Sequence, residues 1–178
     1  MKGFINQLLT VNSLTDSFLD RYNILFVPLM NPDGVMNGFW RYNANKKDLN
    51  RDWGNFTQPE TDAVYKKLTK LSNKKLILFI DFHSTFKNIF YIQDELETAG
   101  YNFAQAWLLE NLSDKSNYKF VIKPTKNINN GVAKNYFNSS YGIPAITFEV
   151  GDNTDRGTII NSSKNLANSM MSVLLENN

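Results

Sequence analysis

Residues 31–61 read NPDGVMNGFWRYNANKKDLNRDWGNFTQPET, from Asn31 to Thr61. The stretch has little apolar periodicity, two turn signals and a concentration of arginine and asparagine. A loop this long inside a compact domain is either functional or disordered. Phe39, Trp40, Trp53 and Phe56 supply aromatic anchors that a solvated linker lacks, which argues for order. Asn31-Pro32-Asp33-Gly34 predicts a tight turn, with Pro32 fixing φ and Gly34 free to take φ > 0. Beyond it, Arg41 and the run Asp48-Leu49-Asn50-Arg51 place cations and an amide donor on one loop. Guanidinium groups match carboxylates and oxyanions through paired, charge-assisted hydrogen bonds. The loop therefore predicts a site for an anionic group.

On either side of this loop the pattern becomes regular. Phe4, Ile5, Leu8 and Leu9 sit at helical spacing, so the chain opens inside an amphipathic helix. Ser13 to Arg21 follows, then Tyr22-Asn23-Ile24-Leu25-Phe26-Val27-Pro28, a short apolar run that reads as a buried strand. After the loop, Thr57-Gln58-Pro59-Glu60 predicts a helix start, with Thr57 as N-cap and Glu60 closing a capping box. Lys75 to Phe82 is the clearest central strand, apolar on both faces, and His83 sits at its C-terminal end. Open α/β sheets bind ligands at such ends. Asn88 to Gln93 and Tyr118 to Ile122 predict short strands, and Thr98 to Leu112 and Val132 to Tyr141 predict helices. Pro144 to Val150 is the last strand and Ser162 to Leu175 a closing helix. Alternation of strands and helices gives an α/β class with a mostly parallel sheet.

The chain has 178 residues, enough for one domain with a substantial core. Its 19 basic and 17 acidic side chains leave a formal net charge of +2, giving no broad field for nucleic acid. No run of basic residues suggests a membrane surface, and no apolar run is long enough to span a bilayer. Cysteine is absent, which excludes disulfides and thiolate metal ligands. The first residues make a poor signal peptide, lacking a clean cleavage site.

The motifs together resemble the zinc carboxypeptidase family, metallo-exopeptidases of the carboxypeptidase A type. The resemblance is carried by Asn31-Pro32-Asp33-Gly34, Arg41, Asp48-Leu49-Asn50-Arg51 and Pro59-Glu60-Thr61, then Asp81-Phe82-His83-Ser84 and Thr147-Phe148-Glu149. Matches in this order are far more specific than any one of them alone. The resemblance implies a three-layer α/β/α fold with a mixed, mostly parallel sheet. It also implies a single domain over residues 1–178 whose N-terminal part, including the family's first strands, is missing. One missing strand would lie between Ile24–Pro28 and Leu76–Phe82, leaving unpaired backbone on both. The expectation is low stability for the isolated chain, or a partner that fills the gap.

Residue by residue, the resemblance makes His83 a zinc ligand and Glu149 the proton-transferring base. Arg41 would steady the oxyanion, and Asn50 and Arg51 would grip the substrate's terminal carboxylate. Asp48 would orient a ligating histidine from behind. The family holds zinc with two histidines and a glutamate. The first two ligands come from a His-x-x-Glu motif that precedes a helix like the one opening this chain. His83 is the only histidine here, so that motif is absent. The family's mobile tyrosine is also missing from the matching stretch, Lys126-Asn127-Ile128-Asn129, while Tyr136 and Tyr141 read as packing residues. Lys134 falls near the family's side-chain pocket, though a lysine on a helix is ordinarily solvated. Non-proline cis peptides are implied near Ser84–Thr85 and Gly151–Asp152.

The function implied is that of the C-terminal part of a zinc carboxypeptidase acting on a peptide with a free C-terminal carboxylate, inactive alone for want of metal ligands. The alternative is a non-catalytic fragment that binds a carboxylate through Arg41, Asn50 and Arg51. Relatives that hydrolyse small N-acyl amino acids carry a similar Asp-Leu-Asn-Arg run. The Asn-Pro-Asp-Gly and Gln-Pro-Glu-Thr segments favour the peptidase side.

Overall fold

A computed structural model describes residues 1–94, 98–112 and 118–176. Seven helices and four strands are found among them: α1 (Lys2–Leu8), α2 (Ser13–Arg21), α3 (Pro32–Asn37), α4 (Pro59–Lys70), β1 (Phe79–Thr85), β2 (Ile89–Gln93), α5 (Thr98–Leu112), β3 (Val121–Thr125), α6 (Ala133–Tyr141), β4 (Ala145–Gly151) and α7 (Arg156–Glu176). The sheet runs β1-β4-β2-β3. β1 lies parallel to β4, and β2 parallel to β3, while β2 and β4 are antiparallel. The sheet is mixed, with parallel pairs in the majority.

Helices cover both faces. On one side Phe4 and Leu8 of α1, Trp107 of α5 and Met171 of α7 pack on Phe90, Ile92, Ile146 and Phe148 of the sheet. Trp107 is fully buried and donates its indole N–H to the Leu166 carbonyl at 2.8 Å, so its polar atom is satisfied inside the core. On the other side Leu68 of α4 and Ala133 and Phe137 of α6 join Trp53 and Ala145. Alternation along β4 explains the two cores: Ile146 and Phe148 point one way, Ala145 and Thr147 the other.

Several local expectations are corrected. Asn31-Pro32-Asp33-Gly34 opens a short helix instead of a β-turn, because the Asn31 side chain accepts from the Gly34 N–H at 2.9 Å and Pro32 takes the first turn. The N-cap of α4 is Gln58, not Thr57, and no capping box forms. Glu60 instead accepts from Asn43 at 3.1 Å, while the carboxylate of Asp52 caps the incoming chain. β1 starts at Phe79 because the first residue of β4, Ala145, lies opposite it; residues 75–78 have no ladder partner. Tyr22 to Pro28 belongs to no strand, and no backbone–backbone hydrogen bond among the described residues holds 23–30. An apolar run becomes a strand only where a neighbour accepts its backbone. The third strand is shifted to 121–125, where β2 pairs with it.

No peptide bond among the described residues is cis. Where the resemblance implied cis bonds, the ladder continues undisturbed through Thr85 opposite Gly151, and the Asp152 N–H donates to the Thr85 carbonyl at 2.7 Å. Regular trans geometry serves that pairing.

Candidate active site

The parallel pair β1–β4 sets the first half of the site. Its register places His83 opposite Glu149, so their side chains leave the same face of the sheet as near neighbours. Asp81, two residues before His83, shares that face, and its Oδ2 lies 2.7 Å from His83 Nε2. A proton on Nε2 is thereby held by Asp81, which leaves Nδ1 as the imidazole's lone-pair nitrogen. Burial alone would lower the His83 pKa; the hydrogen bond and charge of Asp81 outweigh it, with Glu149 and Asp48 adding, and raise it. Glu149 sits above the usual carboxylate range, chiefly through burial. The positive charge of His83 opposes that shift, while Asp81 and Asp152 reinforce it. Its Oε2 is buried and has no hydrogen-bond partner among the described residues. A raised, half-desolvated carboxylate with a free oxygen is suited to taking up a proton.

The 31–61 segment builds the second half. Asp48 Oδ1 accepts from the Asn50 N–H at 2.9 Å and fixes a single 3-10 turn over Leu49–Arg51. Its Oδ2 lies 3.5 Å from Arg41 Nη1, so Asp48 pairs with Arg41 and not with its lysine neighbours. The Arg41 guanidinium also stacks 4.5 Å above the Trp40 ring. Asn50 Oδ1 accepts from the Ala133 N–H at 2.8 Å, which leaves the amide's Nδ2–H donors for the cleft. Arg51 is exposed, with Nη1 on the Asn50 carbonyl at 2.5 Å.

A chain of contacts outside the sequence expectations holds this turn. Asp52 is buried and accepts from the Thr57 and Gln58 N–H groups and from both threonine hydroxyls, Thr57 and Thr61. Burial by itself would raise its pKa, but those hydrogen bonds prevail and lower it. Trp53 donates its backbone N–H to the Gly131 carbonyl at 3.1 Å, and its ring packs against Phe79, Tyr136 and Phe137. Gly131 has φ +74° and lies so close to the Arg51 backbone that a Cβ there would collide with it. The signal for Asp52 was present in the spacing of Asp52, Thr57 and Thr61; Gly131 carried none without its contact. Lys134 is 4% exposed, which corrects the expectation of a solvated helix lysine. Its Nζ lies 3.4 Å from Asn127 Oδ1 and 3.5 Å from the Ile92 carbonyl.

Arg41, Asp48, Asn50, Arg51, His83 and Glu149 all line one groove of about 840 Å³. These six border one cleft, which Lys134, Tyr136 and Tyr141 do not line.

The sequence model described as zinc carboxypeptidase matches residues 1–173. The chain belongs to the zinc carboxypeptidase family. It is similar to cytosolic carboxypeptidase 4 of Mus musculus, with 30% identity over 134 residues, 69% of this chain and 12% of that protein. Cytosolic carboxypeptidase 1 of Gallus gallus is 33% identical over 97 residues, 51% of this chain and 8% of its own length. A solved metallo-carboxypeptidase from Pseudomonas aeruginosa, in complex with (2-guanidinoethylmercapto)succinic acid, aligns with a TM-score of 0.76 at 20% identity. It covers 99% of this chain, which accounts for 52% of that structure. The metallo-carboxypeptidase from Burkholderia cenocepacia gives 0.72 at 20% identity, over 98% of this chain and 50% of its own. These structural likenesses establish the three-layer fold. The chain spans about half of each of those structures and a smaller fraction of the curated relatives.

Membership in a zinc carboxypeptidase family implies zinc, and the donor set can be tested against it. Among the described residues no group of three or more His, Cys, Asp or Glu side chains could hold a metal ion. His83 offers one nitrogen, while Asp81 is engaged with the other, and the chain has no second histidine and no cysteine. Catalytic zinc takes three protein ligands. The described residues of this zinc carboxypeptidase chain therefore do not by themselves fit the ion. No helix among the described residues is long and apolar enough to cross a membrane.

Proposed function

We propose that this chain is the substrate-gripping and proton-transferring portion of a carboxypeptidase that hydrolyses the C-terminal peptide bond of a peptide, with His83 as its one metal ligand. The observation that supports this best is the register of His83 opposite Glu149 across a cleft whose other wall carries Arg41, Asn50 and Arg51. Arg51 and the Nδ2–H of Asn50 bind the terminal carboxylate, Arg51 by charge and Asn50 by a donor that Ala133 has already oriented. Arg41, steadied between Asp48 and Trp40, donates to the scissile carbonyl oxygen as negative charge gathers there. Glu149 takes a proton from the attacking water as the water oxygen bonds to the carbonyl carbon. It then gives that proton to the departing nitrogen as the carbon–nitrogen bond breaks. Asp48 and Asp81 hold their neighbours in place and do not react.

The lone metal ligand supports a second reading, in which the chain binds carboxylates without catalysis. Both readings predict the same recognition. Titrating the full chain with N-acetyl-alanyl-phenylalanine, followed by NMR, should give saturable shifts at Arg51 and Asn50, and the C-terminal amide of the same dipeptide should give none. Arg51→Met should weaken the carboxylate by about tenfold or more, the size of a charge-assisted hydrogen bond. Equal shifts from acid and amide would overturn the proposal. Hydrolysis of the dipeptide by the chain, abolished in Glu149→Gln, would separate enzyme from binder.

A further inference from the structure

Asn–Gly occurs twice in the chain, at Asn37–Gly38 and Asn130–Gly131, and both asparagines are exposed. A glycine after an asparagine lets its backbone nitrogen reach the asparagine carboxamide, because no Cβ stands in the way. The fold treats the two pairs differently. Asn37 ends α3, and a helix tilts its side chains back toward its N-terminus. Its Nδ2–H accordingly donates to the Asp33 carbonyl at 2.8 Å, away from the Gly38 nitrogen. Asn130 folds forward. Its Oδ1 accepts from the Val132 backbone N–H at 3.2 Å, which brings the carboxamide over the Gly131 peptide between them. A second donor, Asn135 Nδ2, reaches the same oxygen at 3.1 Å. The Gly131 N–H makes no hydrogen bond among the described residues. An unheld nitrogen, a carboxamide folded toward it and two donors on the carbonyl oxygen are the parts needed for addition to that carbonyl.

We propose that Asn130–Gly131 is a self-modifying site, where the asparagine deamidates through a cyclic imide and rearranges the backbone behind Arg51. The Gly131 nitrogen bonds to Asn130 Cγ and gives its proton to water. Negative charge gathers on Oδ1, where Val132 and Asn135 donate. The Cγ–Nδ2 bond then breaks, and the nitrogen takes a proton from water and leaves as ammonia. Water next opens the imide. Attack at Cγ gives aspartate with the normal linkage. Attack at the main-chain carbonyl of residue 130 gives isoaspartate, whose backbone runs through Cβ and Cγ. On balance one water enters and one ammonia leaves. Isoaspartate lengthens the chain between residues 130 and 131 by one carbon, about 1.5 Å. Gly131 has no room for this: the Arg51 backbone fills the place of a Cβ, and the Gly131 carbonyl accepts the Trp53 N–H at 3.1 Å. Aspartate keeps the original spacing and an oxygen for the same two donors. The products therefore part, aspartate leaving the Arg51–Trp53 segment in place and isoaspartate displacing it. Any effect on carboxylate binding rests on the proposed function; the chemistry at residue 130 does not.

The test ages the full chain at mildly alkaline pH, folded and in urea, and follows both sites by peptide mass spectrometry. In the folded chain Asn130 should convert roughly tenfold or more faster than Asn37, whose helix turn must first open. In urea the two should convert at similar rates. Equal rates in the folded chain would overturn the proposal. So would a difference that persists in urea, since local sequence and not the fold would then set it. The rearrangement is read on the separated products. Isoaspartate at 130 should speed amide exchange at Trp53 by about tenfold or more, whereas Asn130→Asp should leave it at the parent rate. Unchanged exchange in the isoaspartate form would overturn the rearrangement. Loss of dipeptide-acid binding in that form alone would tie the site to Arg51. A parent chain that never binds the acid refutes the proposed grip and leaves the exchange result standing.

Discussion

Arg51 owes its position to residues that never touch a ligand. Its backbone is pressed against Gly131, whose φ of +74° and absent Cβ allow the contact. Gly131→Ala therefore displaces the Arg51–Asp52 peptide, and affinity for a terminal carboxylate should fall by about tenfold, the effect of a misplaced charge-assisted hydrogen bond. Isothermal titration with an N-acyl dipeptide reads it, and unchanged affinity would detach Gly131 from the grip. Asp52 works from the opposite side. Its folded pKa is held below the ordinary carboxylate value, so its stabilising contribution is complete above that value and is lost as pH falls through the lowered folded pKa. Asp52→Asn should cost about 1–3 kcal/mol at neutral pH, as loss of an ionised hydrogen-bond acceptor does. The gap from the parent should close as the buffer is taken into the strongly acidic range. Urea melts at neutral and acid pH would show it; a gap independent of pH would mean that Asp52 acts as a neutral cap.

At the scale of elements, what the sequence made legible and what it hid divide along a physical line. Helices whose apolar stripe meets a core are found where the periodicity puts them, α1 with Phe4 and Leu8 buried being one. The ends of β1 and the fate of Tyr22 to Pro28 were not legible, because a strand is defined by its neighbour's backbone and composition does not encode the neighbour. The start of α4 departs from the sequence expectation for a related reason: Thr57 looks like a cap in one dimension, but a buried carboxylate five residues earlier already takes its N–H. His83, Glu149, Asn50 and Arg51, whose residue types carry the family motifs, line one groove. Gly131 and Ala133, which contact Arg51 and Asn50 through backbone groups, carry no such signal in the sequence.

The second aromatic core links these elements. Phe137 of α6 is 3% exposed and stacks on Phe79 of β1 with ring centroids 3.8 Å apart. Phe137→Ala should destabilise the chain by about 3–5 kcal/mol, the usual penalty for emptying a buried aromatic site. It should also loosen the 131–133 loop on which Asn50 rests. A loss below about 1 kcal/mol in a denaturant melt would mean that α6 is held by other contacts.

Over the whole molecule, two features coincide at one place. The groove that gathers Arg41, Asp48, Asn50, Arg51, His83 and Glu149 runs along β1, the edge strand of the sheet. The cleft is chemically furnished and structurally open at once. A zinc carboxypeptidase chain of this kind should recognise a carboxylate while holding metal by a single nitrogen. Mass-spectrometric zinc analysis of the full chain, dialysed after equilibration with equimolar zinc, addresses this directly. The account predicts far less than one zinc per chain after dialysis, because one nitrogen does not retain the ion. Stoichiometric zinc that survives dialysis and disappears in His83→Ala would contradict it, because the chain would then possess ligands that its described residues do not assemble.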